Sequence, residues 1–447
     1  MRLHRGLWVG ACLLLAVVGC GNKKKVITGT GTYSPVLTGI ASSSEPAVRG
    51  TATQLTAQVT NVNNLPLIYH WSAAAGPITD TTNATATWIP PNSVGFYDVT
   101  VSIQAQEGTA HFFKTMTVHM AVDNQFTRWT QTETSKFDEA PIPSGGALFS
   151  EFRNVATGAS DIFHVDTPLG PPMQLTTGFF SATSPSVRAD RVDFAFTGKL
   201  QQSDAGQSLY LLPLGGGDAS SARIVTRRSS KQTYIGSPRF DWGGTRLAYA
   251  SDSTNKDLFG SIVALQSCDG AFLGINPVQM LADSVIFASF ASYTNPSWGP
   301  DVNGDGMADS VMSIAYDFFN SPVQSINAVY VLPAVNGGNA QSSEPWLSGA
   351  NIGVPDWSPD GRYVVFARKN TGSNERDIWI IRRASANLSD AIRVTFGPAD
   401  DSQPRFSADG SSIFFMSNRV DHYGLNGIYG TERRGTNVWS VAHFDKP

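Results

Sequence analysis

Short runs of alternating apolar and polar residues follow one another between Val36 and Val122. Clear examples lie at residues 54–59, 67–71 and 97–103, and turn-forming residues such as 90–93 separate the runs. Alternation with a period of two predicts half-buried β-strands, and short strands at regular spacing predict a β-sandwich. No helical period competes with this pattern, so the segment 36–122 is expected to be a β-domain.

A longer repeat begins after this segment. Its clearest copies are residues 355–361, Pro-Asp-Trp-Ser-Pro-Asp-Gly, and residues 404–410, Pro-Arg-Phe-Ser-Ala-Asp-Gly. Each copy predicts an inner strand, a tight Asp-Gly turn and a second apolar strand, because Gly accepts positive φ and Asp bonds its own backbone. Third and fourth strands follow, which is the pattern of a propeller blade. The copies are counted from the prolines Pro141, Pro185, Pro238, Pro296, Pro355 and Pro404.

The last copy predicts a way to close the ring. Its third strand lies at 437–441, and the sequence offers no fourth strand after it. Residues 126–132, upstream of the first copy, are predicted to supply that strand and to leave no sheet edge exposed. Six blades are therefore expected, with a seventh hidden in 267–293 as the alternative.

Two groups of residues carry family resemblances. The repeat Pro-x-Trp-Ser-Pro-Asp-Gly, followed by an Asp-Ile-Trp strand, resembles the TolB-like propeller repeat. The Trp of 69–71 and the Tyr of 95–97 resemble those of immunoglobulin-like and PKD-like sandwiches, although the acidic, Gly-rich stretch of PKD domains is missing. The predicted fold is all-β: an N-terminal Ig-like β-sandwich over residues 36–122, then a six-bladed TolB-like β-propeller over 123–447.

The N-terminus predicts export. Two arginines precede the apolar run 6–18, which is shorter than the ~20 residues of a membrane span and suits a signal peptide. Val-Val-Gly-Cys at 17–20 resembles the bacterial lipobox, so residues 1–19 are the expected signal and Cys20 the expected lipid-attachment site. An incidental cysteine in an ordinary signal peptide is the alternative. Residues 20–35 are polar and predict a flexible tether.

Net charge limits the classes of binding partner, and cysteine content limits the disulfides that can be expected. Removing Arg2 and Arg5 from 32 basic residues leaves 30 against 36 acidic residues, a net charge of −6 for the processed chain. No basic stripe appears, which argues against nucleic acid as a partner. Of the three cysteines, two lie in or next to the signal, so no disulfide framework is expected. The lipobox implies the bacterial cell envelope, with Gly21 favouring the outer membrane, on its periplasmic or surface face.

One segment predicts a metal. Residues 301–309 read Asp-Val-Asn-Gly-Asp-Gly-Met-Ala-Asp, and Ca²⁺ prefers six to eight oxygen ligands arranged around a tight turn. The segment resembles the calcium loops of integrin-type propellers, and Met312 stands where an EF-hand requires Glu. An Asx-rich turn without metal is the alternative. The predicted Ca²⁺ ligands are the side chains of Asp301, Asn303, Asp305 and Asp309 and the carbonyl of Met307, in a structural role.

No catalytic motif stands out in the sequence. The sequence has no G-x-S-x-G elbow, H-E-x-x-H or P-loop, and its seven His residues are scattered. TolB-like propellers typically bind other proteins, and this resemblance implies the same mode of action here. Together with the lipobox it predicts a non-enzymatic envelope lipoprotein that binds a protein partner through its propeller. The alternative is a carbohydrate-binding or lyase-type propeller, which would require carboxylates or His converging in the central channel.

Overall fold

The structure is a computed structural model of the 447-residue chain. Its described residues are all-β apart from a short 3-10 helix at Leu388–Asp390. It describes residues 34–44, 46–107, 109–130, 136–143, 145–190, 192–226, 235–251, 262–267, 279–282, 291–304, 308–317, 326–333, 346–350, 352–369, 375–396, 399–419, 436–442 and 444–447.

The first domain is a sandwich of two four-stranded sheets. In β3 (Thr53–Thr60) buried and exposed residues alternate, which confirms the predicted period of two. Trp71, Trp88, Val99 and Val122 from both sheets share one core and are 1% exposed or less. The first sheet has the strand order β1 (Val36–Ser42), β3 (Thr53–Thr60), β6 (Thr85–Trp88), β5 (Ile78–Thr79). The second has the order β2 (Ala47–Val48), β8 (Ala110–Asp123), β7 (Gly95–Glu107), β4 (Leu67–Ala73).

Six four-stranded units follow, which we call blades 1 to 6 and describe from their first strand outward. A single parallel pair, Ser160 with Ser181, joins blades 1 and 2 into one eight-stranded sheet. Blade 1 consists of β10 (Lys136–Pro141), β11 (Ala147–Asn154), β12 (Ala159–Val165) and β13 (Met173–Gln174). Blade 2 consists of β15 (Ser181–Val187), β16 (Asp193–Lys199), β17 (Ser208–Pro213) and β19 (Arg223–Thr226). Blade 3 consists of β20 (Ile235–Phe240), β21 (Arg246–Ser251), β22 (Ile262–Ser267) and β23 (Gln279–Ala282). A parallel pair, β14 (Thr176–Thr177) and β18 (Gly217–Asp218), links blades 1 and 2.

Blades 4 to 6 have the same order of strands. Blade 4 consists of β24 (Ala291–Trp298), β25 (Ser310–Asp317), β26 (Ile326–Pro333) and β27 (Leu347–Ala350). Blade 5 consists of β28 (Ile352–Trp357), β29 (Tyr363–Lys369), β30 (Arg376–Arg382) and β31 (Ile392–Arg393). Blade 6 consists of β32 (Asp401–Phe406), β33 (Ile413–Ser417), β34 (Asn437–Val441) and β9 (Phe126–Arg128).

The blades form a closed ring. Each first strand contacts the first strand of the next blade, and β32 of blade 6 contacts β10 of blade 1. This is the architecture of a β-propeller. The described strands of the segment 267–293 complete blade 3 and begin blade 4, so they do not form a seventh blade.

The ring is closed by an N-terminal strand, as the sequence predicts. Trp439 of β34 pairs with Arg128 of β9, and Val441 pairs with Phe126. The outermost strand of blade 6 therefore precedes blade 1 in the chain, while the other three strands come from its end. This prediction is confirmed.

The alignment of the first repeat on Pro141 is wrong. In the first–second strand ladders, Ala140 takes the register position of Ser186 in blade 2 and Arg405 in blade 6. Glu139 is therefore the equivalent of the repeat prolines, and Pro141 takes the place of the Trp or Phe two positions later. With this correction Trp129 stands ten residues before Glu139, the same spacing that Leu175 and Val394 have from their prolines Pro185 and Pro404.

A hydrogen bond between the third and fourth strands recurs in blades 1, 5 and 6. A backbone N–H of the third strand donates to the hydroxyl of the Thr that directly follows Leu175, Val394 or Trp129. The pairs are Ile162 N to Thr176 Oγ1 at 2.9 Å, Ile378 N to Thr395 Oγ1 at 2.9 Å and Val438 N to Thr130 Oγ1 at 3.0 Å. Thr130 therefore fastens the N-terminal strand to blade 6.

Replacing Thr130 with Val tests this closure. The hydroxyl also donates to Asn437 Oδ1 at 2.9 Å, and Thr130 is 4% exposed. Thr130→Val keeps the side-chain shape but removes a buried acceptor, so we expect a loss of ~1–3 kcal/mol in the free energy of unfolding by urea denaturation. Thr127→Val, at an exposed position of β9, is the matched control and should change stability by less than ~0.5 kcal/mol. Equal losses would argue against a closing role for Thr130.

Neighbouring blades share apolar cores. Trp357 of blade 5 is completely buried and packs in one cluster with Met312 and Val329 of blade 4. The predicted Asp-Gly turns are also present: Gly361 and Gly410 both adopt φ of 67°, where a Cβ would be strained.

Candidate functional site

The predicted calcium loop joins β24 to β25. Asp309 accepts hydrogen bonds from the Val302 amide at 2.6 Å, the Asn303 amide at 3.1 Å and Asn303 Nδ2 at 2.7 Å. Asp301 Oδ1 accepts from the Gly304 amide at 2.7 Å. The structure therefore brings Asp301, Asn303 and Asp309 together in one turn.

The other predicted site residues lie outside the described residues: Asp305, Met307 and the lipid-attachment residue Cys20. Within the described ranges, no group of three or more His, Cys, Asp or Glu side chains is arranged to hold a metal ion. Nor does that part of the chain contain a helix of the length and apolarity needed to cross a membrane.

Polar side chains on the first strands of the blades bond to one another around the ring. Gln403 Nε2 of blade 6 donates to Asp138 Oδ1 of blade 1 at 3.1 Å, and Ser184 of blade 2 donates to Asp138 Oδ2 at 2.9 Å. Ser237 of blade 3 donates in the same way to Asn295 of blade 4 at 2.9 Å. All five residues have φ between 50° and 55°, at a bulge in the first strand of each blade. The bulge turns these side chains toward the neighbouring blade.

Carboxyl groups from two first strands lie beside this ring. Asp356 of blade 5 accepts from the Ser297 hydroxyl at 2.8 Å and from the Phe406 amide at 2.9 Å, so it joins blades 4, 5 and 6. Burial raises the pKa of Asp356 to about 7, against these hydrogen bonds, which lower it. Asp356 therefore keeps its proton to a higher pH than an exposed Asp does.

Glu139 and Arg405 face each other between blades 1 and 6. Glu139 is completely buried, and Arg405 Nε lies 3.9 Å from its Oε1, beyond hydrogen-bond distance. Neither carboxyl oxygen of Glu139 has a hydrogen-bond partner among the described residues. Burial raises the pKa of Glu139 well above its usual range, and the Arg405 charge opposes that rise only in part. Glu139 was not predicted from the sequence because it occupies the position that a proline holds in the other blades.

A buried junction joins the sandwich to blades 5 and 6. Asp123, at the end of β8, accepts from the Phe396 amide at 2.9 Å, and Asn124 Nδ2 donates to the Val394 carbonyl. The ring of Phe96 meets that of Phe396 edge to face, with centroids 4.7 Å apart. These contacts fix the last sandwich strand against the outer part of blade 5.

Arg419 is the cation of this junction. Its Nη2 donates to Asp401 at 2.6 Å, its Nη1 lies 3.7 Å from Asp123, and its guanidinium stacks 3.8 Å from the centre of the Phe126 ring. Burial raises the pKa of Asp123 to about 7, and the Arg419 charge limits that rise. The junction was not predicted, because its members are separated by almost 300 residues and no local spacing links them.

Comparisons with known proteins concern the fold. No family model matches the chain, and no well-characterised protein matches it in sequence. Among solved structures, the chain is similar to TolB from Acinetobacter baumannii, with 14% identity, 83% of this chain and 80% of that one aligned, and a TM-score of 0.42. It is also similar to the β-propeller domain of the Trilobed protease from Pyrococcus furiosus, at 8% identity, 70% and 99% coverage and a TM-score of 0.41.

A third similar structure is hydrazine synthase from Kuenenia stuttgartiensis. The identity is 14%, 68% of this chain is aligned and the TM-score is 0.44. The alignment spans 47% of the hydrazine synthase chain, about half its length.

Proposed function

We propose that the chain is a non-enzymatic lipoprotein of the bacterial cell envelope that binds a protein partner through its propeller. In this proposal Cys20 is acylated and anchors the chain in the outer membrane, and an Ig-like sandwich separates the anchor from the propeller. The observation that carries the proposal is the buried junction at Asp123, Phe396 and Arg419. A sandwich fixed to the ring in this way makes one rigid unit with the propeller, which the tether of residues 20–35 would link to the anchor.

Cross-linked pull-down from native envelopes tests the partner. The full-length tagged chain is compared with Cys20→Ser, which lacks the proposed anchor. We expect a protein that is enriched with the wild-type chain and reduced with Cys20→Ser, identified by mass spectrometry. Recovery of peptidoglycan or polysaccharide alone would overturn the protein-binding proposal.

Mass spectrometry of the N-terminal peptide tests the anchor separately. We expect the purified protein to begin at Cys20 with a mass increment for its acyl chains. Cys20→Ser should remain unprocessed, whereas Cys12→Ser, the matched change inside the signal segment, should be processed normally. A wild-type protein cleaved elsewhere and free of lipid would contradict the proposal.

The loop between β24 and β25 supports a structural Ca²⁺ site, because Asp301, Asn303 and Asp309 already share one turn. A chelator-treated protein should bind Ca²⁺ in calorimetry and gain ~2.7 kcal/mol of stability at 100 times Kd. Asp309→Ala should abolish both effects, and Asp360→Ala, in the equivalent turn of blade 5, should leave both unchanged. Absence of Ca²⁺ binding to the wild-type chain would favour the metal-free turn.

A carbohydrate-binding or lyase-type role is the second candidate. It is favoured by one observation: Asp138, Glu139 and Asp356 lie on the first strands of blades 1 and 5, which surround the centre of the ring. The test is retention on envelope polysaccharides, with turnover followed by release of unsaturated sugars. Asp356→Asn should reduce either signal if the role is real, and no signal from the wild-type chain would end this alternative.

A further inference from the structure

The turns between first and second strands define one surface of the propeller. All first strands of a propeller run in the same direction through the ring, so these turns lie on the same face. We call this surface the hairpin face, and its described residues are 142–143, 145–146, 188–190, 192, 241–245, 299–304, 308–309, 358–362 and 407–412.

The turns of blades 2 to 6 lie against one another in order. Between blades 3 and 4, Arg246 Nη2 donates to the Ala308 carbonyl at 2.6 Å. In other pairs a turn glycine lies so close to the preceding turn that an added Cβ would fall within 3.4 Å of it. These pairs are Gly244 with Arg188, Gly361 with Pro300 and Gly410 with Pro359.

Large apolar side chains are exposed on three consecutive turns of this face. Val192 of blade 2 is 58% exposed, Trp242 of blade 3 is 37% exposed and Val302 of blade 4 is 75% exposed. Scattered apolar residues are normal on a protein surface, but neighbouring ones, and an exposed Trp above all, mark interaction sites. Blades 2 to 4 therefore present an apolar arc.

Negative charge occupies the turns that continue the arc. Among their described residues, the turns of blades 4 to 6 contain four Asp (Asp301, Asp309, Asp360 and Asp409), one Arg and no Lys. In blades 5 and 6 the hydroxyls of Ser358 and Ser407 each donate to the turn Asp at 2.6 Å. The pKa values of Asp360 and Asp409 lie below their usual range, with the Ser407 hydroxyl the main cause at Asp409. Both side chains are therefore anionic at neutral pH.

We propose that the hairpin face binds a protein segment in which Lys or Arg side chains lie next to apolar side chains. The inference rests on the proposed protein-binding function and adds the surface and the chemistry of the partner. The apolar residues of the segment pack on Trp242 and Val302, and its cations lie over Asp360 and Asp409. Val302 lies in the blade 4 turn, between the apolar turns of blades 2 and 3 and the acidic turns of blades 5 and 6, so the two parts of the surface adjoin there.

Site-specific photocross-linking tests the surface in cells that make the full-length chain. A benzophenone amino acid replaces Trp242 or Val302, and the control replaces Phe113, which is 61% exposed on the sandwich. We expect protein adducts from the two hairpin-face positions, with the cross-linked peptide of the partner carrying Lys or Arg. Adducts of equal yield at Phe113, or cross-linked peptides that are acidic, would overturn the inference.

A synthetic peptide with the sequence of the cross-linked segment then measures the charge contribution. The double variant Asp360→Asn and Asp409→Asn should weaken its binding about tenfold or more at low salt. Asp80→Asn with Asp98→Asn, two exposed sandwich positions, removes the same charge and should leave the affinity unchanged. Equal weakening by both pairs would show a nonspecific charge effect and overturn the inference.

Two outcomes separate this inference from the proposed function. If pull-down recovers a partner that binds the propeller but neither hairpin-face position cross-links to it, the partner binds elsewhere and only the surface is wrong. If no protein is recovered, both proposals fail. Binding of the chain to vesicles of anionic lipid, if that binding depends on Trp242, would also overturn the inference, because the acidic turns should repel an anionic surface.

Discussion

Arg419→Ala should lower the free energy of unfolding by ~3–5 kcal/mol, the largest loss expected from any single substitution at the sandwich–propeller junction. The side chain is 9% exposed and lies between Asp123 and Asp401, both 1% exposed or less. Without Arg419 the two carboxylates would share a buried space with no cation between them. The loss of the stack on Phe126 adds to the effect.

Urea denaturation followed by circular dichroism measures this loss. Arg362→Ala is the matched control, because its side chain is 79% exposed and lies 4.0 Å from Asp360; it should change stability by less than ~0.5 kcal/mol. Arg419→Lys should give an intermediate loss, since an ammonium keeps the charge but not the planar fork. If Arg419→Ala costs less than ~1 kcal/mol, the junction does not stabilise the fold in the way described.

The loss should also depend on pH. Because the pKa of Asp123 is already raised to about 7, this carboxyl can take up a proton when Arg419 is removed. Protonation relieves the repulsion with Asp401, so the Arg419→Ala loss should be smaller at pH 5 than at pH 8. A loss of the same size at both pH values would assign the effect to packing on Phe126.

The local features of the fold were predictable because they depend on residues close together in the sequence. The Asp-Gly turns follow from the need for positive φ at Gly361 and Gly410. The closing strand follows from the apolar pattern at 126–132, which repeats that of the other fourth strands. The error at Pro141 has the same origin: this proline lies two residues from the repeat position, and only the strand register shows that Glu139 occupies that position.

The interactions between distant segments were not predictable from one sequence. Asp123 and Arg419 are brought together only by the docking of the sandwich on the ring. The hydrogen bond between Gln403 and Asp138 depends on the contact between the first and last blades, which lie far apart in the sequence. The apolar residues Val192 and Trp242 are ordinary turn residues in the sequence, and become an arc only once the turns stand side by side.

Stability should fall as the pH rises from about 4 to about 7, in contrast to the behaviour expected of a protein held by surface ion pairs. Burial raises the pKa values of several carboxyl groups, so the folded chain binds more protons than the unfolded chain in this range. Each such group therefore favours folding when protonated and loses that contribution as the pH rises through its folded pKa. The groups are Asp123, Glu139, Asp161 and Asp356.

For Asp123 the rise from 3.8 to about 7 corresponds to at most ~4 kcal/mol between the two ends of the range. A melting temperature higher at pH 5 than at pH 8, by on the order of 10 °C, is the expected result in differential scanning calorimetry. Below pH 4 the trend should reverse, because another group of carboxyls has lowered pKa values and loses its stabilising charge there. These residues are Asp218, Asp360, Asp400 and Asp409.

Asp356→Asn measures how much the Asp356 carboxyl contributes to the dependence of stability on pH. The amide keeps an oxygen that can accept from the Ser297 hydroxyl or the Phe406 amide, but it cannot take up a proton. The slope of stability against pH between 4 and 7 should therefore decrease by up to one proton, while Asp80→Asn on the sandwich surface leaves the slope unchanged. A wild-type melting temperature that rises steadily from pH 5 to pH 8 would mean that these buried carboxyl groups are ionised in the folded chain, with Arg405 and Arg419 as their counter-ions. In that case the Glu139–Arg405 contact at 3.9 Å would act as a buried ion pair, and Glu139→Gln would destabilise the ring by leaving Arg405 without an anion.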